Sequence, residues 1–191
     1  MACTILLAGE SAFNPGFVVN WKDTGVSSGD PLDISTCCFR YTNDAQAITV
    51  DIAATTVYVD RANRPGAKLG FPANGNLIRA DNMPAVAPVH LLFEQPVSAA
   101  GAHVSALTQG NAGLGKWYHA VLTVRLLDDA RRQMVSLPFS LSDRVAAAPF
   151  VGMRVDGGVA AVCELWFDVL ADTHVTPAPV QVAIDELWFL E

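Results

Sequence analysis

Two acidic segments near the end of the sequence have residue types that can bind a ligand or a cation. The first is Glu164-Leu165-Trp166-Phe167-Asp168. Alternate side chains of a β-strand share a face, so Glu164, Trp166 and Asp168 would lie on one face, with an aromatic ring between two carboxylates. An exposed ring and hydrogen-bonding carboxylates suit a sugar ligand. We therefore predict a ligand contact at these residues, although burial of Trp166 under a loop or in a subunit contact explains the pattern equally well.

The second acidic segment interrupts the apolar run at residues 182–189. Strict alternation would place Ile184 and Leu187 on opposite faces, so both can be core residues only if a β-bulge inserts an extra residue between them. Asp185 would then turn inward or sideways. A buried carboxylate needs a partner, and Ca²⁺ is one solution. The alternative is a solvated carboxylate on an edge strand.

The residues around these segments predict short β-strands, because apolar and polar residues alternate and helical spacing is scarce. The expected strands are 4–8, 17–20, 37–41, 47–59, 90–94, 102–107, 118–127, 133–140, 149–155, 160–169 and 180–189. The clearest pairing is a β-hairpin of 120–127 with 134–139 across the polar residues 128–132. We predict one all-β domain, in which residues 1–30 form an N-terminal arm or first strands and residues 31–191 form the sandwich.

Two stretches rich in Gly, Asn and related turn residues are predicted to be loops. The longer spans residues 60–88, and the shorter spans residues 108–117. Long irregular segments often carry binding residues, so both are candidate binding loops. Trp117, at the end of the shorter loop, is a second aromatic candidate for ligand contact.

Composition excludes some classes of partner. The 191 residues include 12 basic and 19 acidic residues, for a net charge of −7, and no basic patch suggests a nucleic-acid partner. No apolar run approaches the roughly 18–20 residues needed to span a bilayer, so no membrane insertion is expected. The first ten residues lack the charged leader of a secretory signal. We expect a chain that is cytosolic, exported by another route, or without its leader.

Motifs for catalysis are missing from the sequence. It has no nucleophile elbow, metalloprotease histidine pair, phosphate-binding loop or dinucleotide fingerprint, and its four histidines are scattered singly. Glu164 and Asp168 could act as paired carboxylates on a polysaccharide. However, their spacing along a strand is about 13 Å, beyond the roughly 5–9.5 Å of glycosidase carboxylates. We expect that the protein is not an enzyme.

The cysteines are expected to be free thiols. Cys37 and Cys38 are adjacent and point to opposite faces of a strand, so they are poorly placed to bridge each other. Cys163 alternates with Leu165 and Phe167, which predicts a small core residue. No zinc-ligand spacing is present.

Four pieces of sequence, in order from about Leu91 to the C-terminus, resemble the galactose-binding-like jelly-roll sandwiches of carbohydrate-binding modules and secreted bacterial proteins. They are the strand and turn at residues 93–101, the hairpin containing Asp128-Asp129, the Phe-x-Gly strand at 149–153 and the segment 183–189, which resembles an Ile-Asp-Asp/Asn-hydrophobic-x-Phe ending. The resemblance covers about half the chain. It implies a jelly-roll β-sandwich of two antiparallel sheets with long irregular loops.

The same resemblance implies a structural Ca²⁺ ion and no catalytic residues. In several such modules the Asp of the final motif helps to bind Ca²⁺, a role that falls here on Asp185. Its partners in the N-terminal half are not fixed by the pattern, and Asp30, Asp33 and Asp51 are the candidates.

Three functions are consistent with these patterns. The first is a non-catalytic binding or adhesion module that contacts a glycan or a protein surface, displayed on a cell surface or in an extracellular assembly. The second is a structural subunit of a homo-oligomer or larger assembly, such as a virion decoration or appendage protein, with its N-terminal arm docked on a neighbour. The third is a polysaccharide-active enzyme. An extracellular, virion or cell-surface location fits the first two, and a cytoplasmic one is not excluded.

Overall fold

Thirteen β-strands and one 3-10 helix make up the secondary structure that can be described. The computed structural model describes residues 5–7, 10–13, 17–19, 21, 38–42, 47–52, 56–61, 76–83, 88–108, 117–126, 132–140, 148–155, 161–171 and 180–190. The elements are β1 (Ile5–Leu7), the 3-10 helix η1 (Glu10–Phe13), β2 (Phe17–Val19), β3 (Cys38–Thr42), β4 (Ala47–Ile52), β5 (Thr56–Arg61), β6 (Asn76–Met83), β7 (Pro88–Val97), β8 (Ala99–Thr108), β9 (Trp117–Leu126), β10 (Arg132–Ser140), β11 (Phe150–Val155), β12 (Val162–Ala171) and β13 (Val180–Leu190).

These strands form the predicted two antiparallel sheets of a β-sandwich. The first sheet has the order β1-β11-β8-β13-β6-β5, with β2 also paired to β13, and the second has the order β10-β9-β12-β7-β4-β3. The rings of Phe93 in β7 and Phe189 in β13 meet between the sheets, with their centroids 6.1 Å apart. The all-β prediction is confirmed.

The last eight strands are nested as antiparallel pairs. The predicted hairpin β9–β10 is innermost, followed by β8–β11, β7–β12 and β6–β13. The pairs alternate between the sheets, because β9–β10 and β7–β12 lie in the second sheet and β8–β11 and β6–β13 lie in the first. This folded ribbon is the arrangement of a double-sheet jelly roll.

The core lies between the sheets and follows the strand period of two. The inward residues of the first sheet include Ala100, Ala102, Val104, Val151, Met153, Ile184 and Phe189, and those of the second include Ile48, Leu91, Phe93, Val124, Leu126, Leu165 and Phe167, all of them buried. Burying a large apolar side chain stabilises the fold by about 1.5–3 kcal/mol, so these residues supply much of the driving force for folding.

The predicted β-bulge is present in β13. Asp185 pairs with His103 and Leu187 pairs with Ala102, which leaves Glu186 as the extra residue. Both Ile184 and Leu187 are buried, as the parity argument requires. The bulge also marks a change of partner, because β13 pairs with β6 up to Asp185 and with β2 from Leu187 onward.

Two strand predictions were wrong. Residues 47–59 were expected to be one strand, but β4 lies in the second sheet and β5 in the first. Residues 60–88 were expected to be a loop, but β6 pairs with both β5 and β13 over part of that stretch. The sequence Asn76-Leu77-Ile78-Arg79-Ala80-Asp81-Asn82-Met83 is too polar to suggest a strand. Its two neighbouring strands stabilise it by backbone hydrogen bonds.

The described parts of the N-terminal segment join the first sheet, with η1 on its outer face. Strand β1 pairs with β11, and β2 pairs with β13. Phe13 of η1 is fully buried in a small apolar cluster with Ala99, against which Phe150 and Trp188 pack. These described parts of the predicted N-terminal arm therefore belong to the same sandwich as the rest of the chain.

Candidate functional site

A polar and aromatic cluster lies at the centre of the second sheet, on its outer face. It is formed by His90 of β7, Arg125 of β9, and Glu164 and Trp166 of β12; we call these four residues the Glu164 cluster. Strand β12 runs between β7 and β9, and the register pairs Glu164 with Arg125 and Trp166 with His90. The residues that alternate with them along the strands point into the core.

Glu164 accepts hydrogen bonds from two other residues of this cluster. The Nε–H of Arg125 donates a hydrogen bond to Oε1 of Glu164 over 2.5 Å. The indole Nε1–H of Trp166 donates to the other oxygen, Oε2, over 3.1 Å. One carboxylate therefore fixes the orientation of both a guanidinium group and an indole ring.

His90 completes the cluster from the neighbouring strand. Its ring is stacked on that of Trp166, with centroids 3.8 Å apart and an angle of 16° between the planes. Its Nε2 lies 3.2 Å from Oε2 of Glu164, which is within ion-pair distance when the imidazole is protonated. The alignment is not that of a hydrogen bond, so this contact is electrostatic.

The charged groups of the cluster differ in their access to solvent. The side chain of Glu164 is 13 % exposed and that of His90 is 16 % exposed, whereas that of Arg125 is 37 % exposed. Trp166 is half-buried. The carboxylate of Glu164 therefore lies in the less accessible part of the cluster, and the guanidinium group of Arg125 is its more solvent-exposed charge.

Opposing effects act on the pKa of Glu164. Burial raises this pKa, but the hydrogen bonds from Arg125 and Trp166, followed by the charges of Arg125 and His90, lower it. The lowering effects prevail, and the pKa lies below its ordinary value of 4.5. Glu164 is therefore an ionised carboxylate at neutral pH.

Replacement of Glu164 with glutamine is expected to alter the pH dependence of stability. Because folding lowers this pKa, ionised Glu164 stabilises the folded chain above the pKa of the unfolded state. That contribution is lost as the pH falls below about 4.5 and through the folded-state pKa. Melting temperatures from pH 3 to 7 should show the wild type above Glu164→Gln at pH 7, with the gap closing toward pH 3. A constant gap would contradict the role assigned to the ionised carboxylate.

Irregularities in two strands lie directly beside the cluster. Cys163 is an extra residue of β12 between the pairs Val162–Leu126 and Glu164–Arg125. On the other side of β12, Val162 pairs with Val97 of β7 and Glu164 pairs with Leu92, so residues 93–96 of β7 form an irregular segment. Glu94 and Gln95 in this segment are exposed. β-Bulges occur often next to functional sites, where they redirect side chains.

Cys163 itself belongs to the core, as predicted. It is a buried free thiol, and its pKa is raised by burial; the charge of Arg125 lowers the pKa and that of Glu164 raises it further. A buried thiol with a raised pKa is not a reactive nucleophile.

The structure brings together two of the four predicted ligand residues, Trp166 and Glu164. Asp168 is also in β12, paired in register with Pro88 and Val121, and Trp117 begins β9 opposite Ser140. The side chains of Asp168 and Trp117 lie outside the described part of the structure. Their ligand roles stay predictions.

The sequence pattern did not indicate His90 or Arg125 as site residues. His90 is one of four histidines that are scattered singly along the sequence. Both become neighbours of Glu164 through pairing between strands that are distant in sequence. Only the strand order of the second sheet could have revealed them.

Asp185 occupies a different region, on the first sheet. It is 1 % exposed, so the predicted burial of this carboxylate is confirmed. Its register partner His103 contacts the carbonyl oxygen of Ala148 through Nδ1 at 2.9 Å, and its ring meets that of Phe150 edge to face. By strand parity Asp185 lies with His103 on the face opposite to the core residues Ile184 and Val104.

The predicted Ca²⁺ ligands are not brought together within the described residues. That part of the chain contains no group of three or more His, Cys, Asp or Glu side chains able to hold a metal ion. Asp51 is in β4 of the second sheet, whereas Asp185 is in β13 of the first. Asp30 and Asp33 lie outside the described residues. The Ca²⁺ site stays a prediction that depends on them.

Replacement of Asp185 with alanine tests that prediction. If Asp185 binds Ca²⁺, the wild type should melt at a higher temperature with Ca²⁺ than with chelator, because an ion that binds only the folded state stabilises it. The Asp185→Ala variant should melt lower and show no response to Ca²⁺. Identical wild-type melting curves under both conditions would reject the Ca²⁺ site.

Comparison with protein-family models gave no match to this chain, and comparison with the curated proteins gave none either. The structure supports the β-sandwich implied by the sequence resemblance. The assignment to the galactose-binding-like class stays a prediction. Within the described residues, no helix has the length and apolar character required to cross a membrane.

Proposed function

We propose that this protein is a non-catalytic binding module and that the Glu164 cluster is its contact site for a carbohydrate. The observation that carries the proposal is the His90–Trp166 ring stack, held at its edge by the carboxylate of Glu164 on the outer face of a sheet. Binding sites combine apolar or aromatic surface with a few polar groups of fixed orientation. The cluster has both features.

The side chains of the cluster hold one another in fixed orientations, which favours a specific binding site over a group of unrelated surface charges. Glu164 orients Arg125 and Trp166 by hydrogen bonds, and stacking on His90 restricts the indole ring. Groups that are ordered before the ligand arrives lose less conformational entropy on binding. The exposed residues 94 and 95 beside the cluster add polar groups within the same region of the sheet.

The state of Glu164 favours a binding role over acid catalysis. A general acid in a glycosidase needs a raised pKa so that it carries a proton at the working pH. Arg125, Trp166 and His90 instead keep the pKa of Glu164 low. The paired-carboxylate enzyme is therefore the weakest of the proposals.

Replacement of Trp166 with alanine tests the carbohydrate proposal. In native gels that contain a soluble neutral or acidic polysaccharide, at least one polysaccharide should retard the wild type. The Trp166→Ala variant should migrate without retardation, because it loses about 1–3 kcal/mol of apolar contact with the sugar. Val18→Ala is a control, because Val18 is an exposed apolar residue on the other sheet. It should be retarded like the wild type.

The gel result for Trp166→Ala reports on binding only if this variant is folded. Because Trp166 is half-buried on the sheet surface, Trp166→Ala should keep a cooperative melting transition. Absence of wild-type retardation in every polysaccharide would reject the module. Unfolding of Trp166→Ala would show instead that the ring is part of the core, and a milder Trp166→Phe variant would then report on binding.

A structural subunit of a multimeric assembly is our second proposal. It is favoured by the nested strand pairs β6–β13, because jelly rolls with this order form both lectin and viral capsid domains. Size exclusion coupled to light scattering, with Ca²⁺ and with chelator, separates the two proposals. A Ca²⁺-independent multimer favours the assembly subunit, and a monomer favours the binding module. Either function fits a protein displayed on a surface or in an extracellular assembly.

A further inference from the structure

Arg125 is the most exposed charged residue of the Glu164 cluster. Its side chain is 37 % exposed, compared with 13 % for Glu164 and 16 % for His90. A ligand that approaches the outer face of the second sheet therefore meets the guanidinium group before it meets the carboxylate. Within the Glu164 cluster the most exposed charge is therefore positive, although exposed Glu94 lies beside the cluster and the chain as a whole carries a net charge of −7.

The contact with Glu164 uses only one side of this guanidinium group. Arg125 donates to Glu164 through Nε, so its terminal nitrogens Nη1 and Nη2 are not used in this hydrogen bond. A guanidinium group has five N–H donors in a rigid plane. The edge formed by its two terminal nitrogens matches the two oxygens of a carboxylate and can donate two parallel hydrogen bonds.

The other residues of the cluster favour binding of an anionic ligand by the terminal nitrogens of Arg125. Glu164 fixes the long side chain of Arg125 in one position, which lowers the entropy cost of binding. Protonated His90 would add a second positive charge 3.2 Å from Glu164, which already compensates Arg125. Trp166, in the same cluster, supplies an aromatic surface for the apolar part of the ligand.

We infer that the carbohydrate bound at the Glu164 cluster carries a carboxylate, as a uronic or sialic acid does, and that Arg125 pairs with this group. The inference rests on the proposed function and adds the chemical class of the ligand. Arg125 is the residue that determines specificity, and Trp166 contacts the sugar independently of its charge.

Titration of the wild-type chain with matched acidic and neutral sugars tests the inference. The probes are oligogalacturonate, oligoglucuronate and a sialyl oligosaccharide, each compared with its methyl ester, which has the same ring and lacks the negative charge. Calorimetry should show binding of at least one acid, with its ester weaker by about tenfold or more, the loss expected for a charge-assisted hydrogen-bonded pair.

Two variants of Arg125 and a matched control complete the experiment. Arg125→Gln removes the charge, and Arg125→Lys keeps the charge but removes the two-nitrogen edge, so both should lose about tenfold or more in affinity for the acid. Arg154→Gln makes the same change of net charge at an exposed residue of the first sheet and should bind like the wild type. The comparison of acid with ester uses the wild type, so it decides the matter even if a variant is unstable.

The outcomes separate this inference from the proposed function. If an ester binds as tightly as its acid, or Arg125→Lys binds like the wild type, the carboxylate inference is wrong and the carbohydrate site stands. If neutral polysaccharides retard the chain and none of the acids binds, the inference is again wrong. If neither acidic nor neutral saccharides bind, the proposed function fails together with the inference.

Discussion

The Gly101→Ala variant is expected to lose about 2–3 kcal/mol of folding stability or more, the cost of forcing extra volume into a packed site. A Cβ atom at this position would lie 2.6 Å from Cα of Gly152 and 2.7 Å from Cζ of Phe150. The first contact is with the backbone of the paired strand, which cannot move without disturbing β8 and β11. Phe150 is also restrained, because its ring packs edge to face on that of Phe13 at 5.4 Å.

Thermal and urea unfolding of Gly101→Ala measure this loss. Arg154→Gln is a suitable control, because Arg154 is exposed on β11 close to the same site and its replacement should cost no more than about 0.5 kcal/mol. A Gly101→Ala chain as stable as the wild type would contradict the close approach of the two strands.

The Phe13→Ala variant is expected to lose about 3 kcal/mol or more, as is usual when a buried phenylalanine is truncated. Phe13 is fully buried, and it packs with Ala99 and Phe150 on the outer side of the first sheet. Its removal leaves a cavity and weakens the attachment of η1 to the sandwich. The loss should appear in the main unfolding transition, because Phe13 packs against residues of β8, β11 and β13 in the first sheet.

Ser11→Ala is the matched control for Phe13→Ala, since Ser11 is an exposed residue of the same 3-10 helix. It should unfold like the wild type. If Phe13→Ala also unfolds like the wild type, η1 does not pack on the first sheet of its own chain. A chain whose stability depends on Phe13 only at concentrations that support a multimer would point instead to an arm docked on a neighbour.

The motifs that carried the family resemblance have a structural explanation. The glycine that ends the first motif is Gly101 and the glycine of the Phe-x-Gly strand is Gly152, and the two are directly paired in the first sheet. The ring of Phe150 lies over the space that a side chain at Gly101 would fill. These motifs therefore specify strand packing in a jelly roll, and they carry little information about a ligand.

The bulge in β13 could be predicted because it depends on local parity. Ile184 and Leu187 are three residues apart, and their apolar character alone requires an extra residue if both face the core. The face of β12 that carries Glu164 and Trp166 was predictable for the same reason. Such predictions need only the alternation within one strand.

The complete site could not be predicted, because it depends on contacts between distant strands. His90 and Arg125 reach Glu164 from β7 and β9, and the sequence contains no signal that these strands flank β12. Strand β6 was not predicted because its polar residues are not typical of a strand. It is stabilised by pairing with β5 on one side and β13 on the other. Non-local pairing thus decides both the sheet order and the membership of the cluster.

The most direct test of the account is the nuclear magnetic resonance signal of the Trp166 indole N–H during titration with the saccharide that retards the chain most. Trp166→Phe assigns this signal among the four tryptophans. We expect it to shift in proportion to saturation, together with the Nε–H signal of Arg125, because both donors bind Glu164 at the proposed site. Binding that leaves both signals unchanged would place the ligand elsewhere and contradict the assignment of the Glu164 cluster as the carbohydrate site.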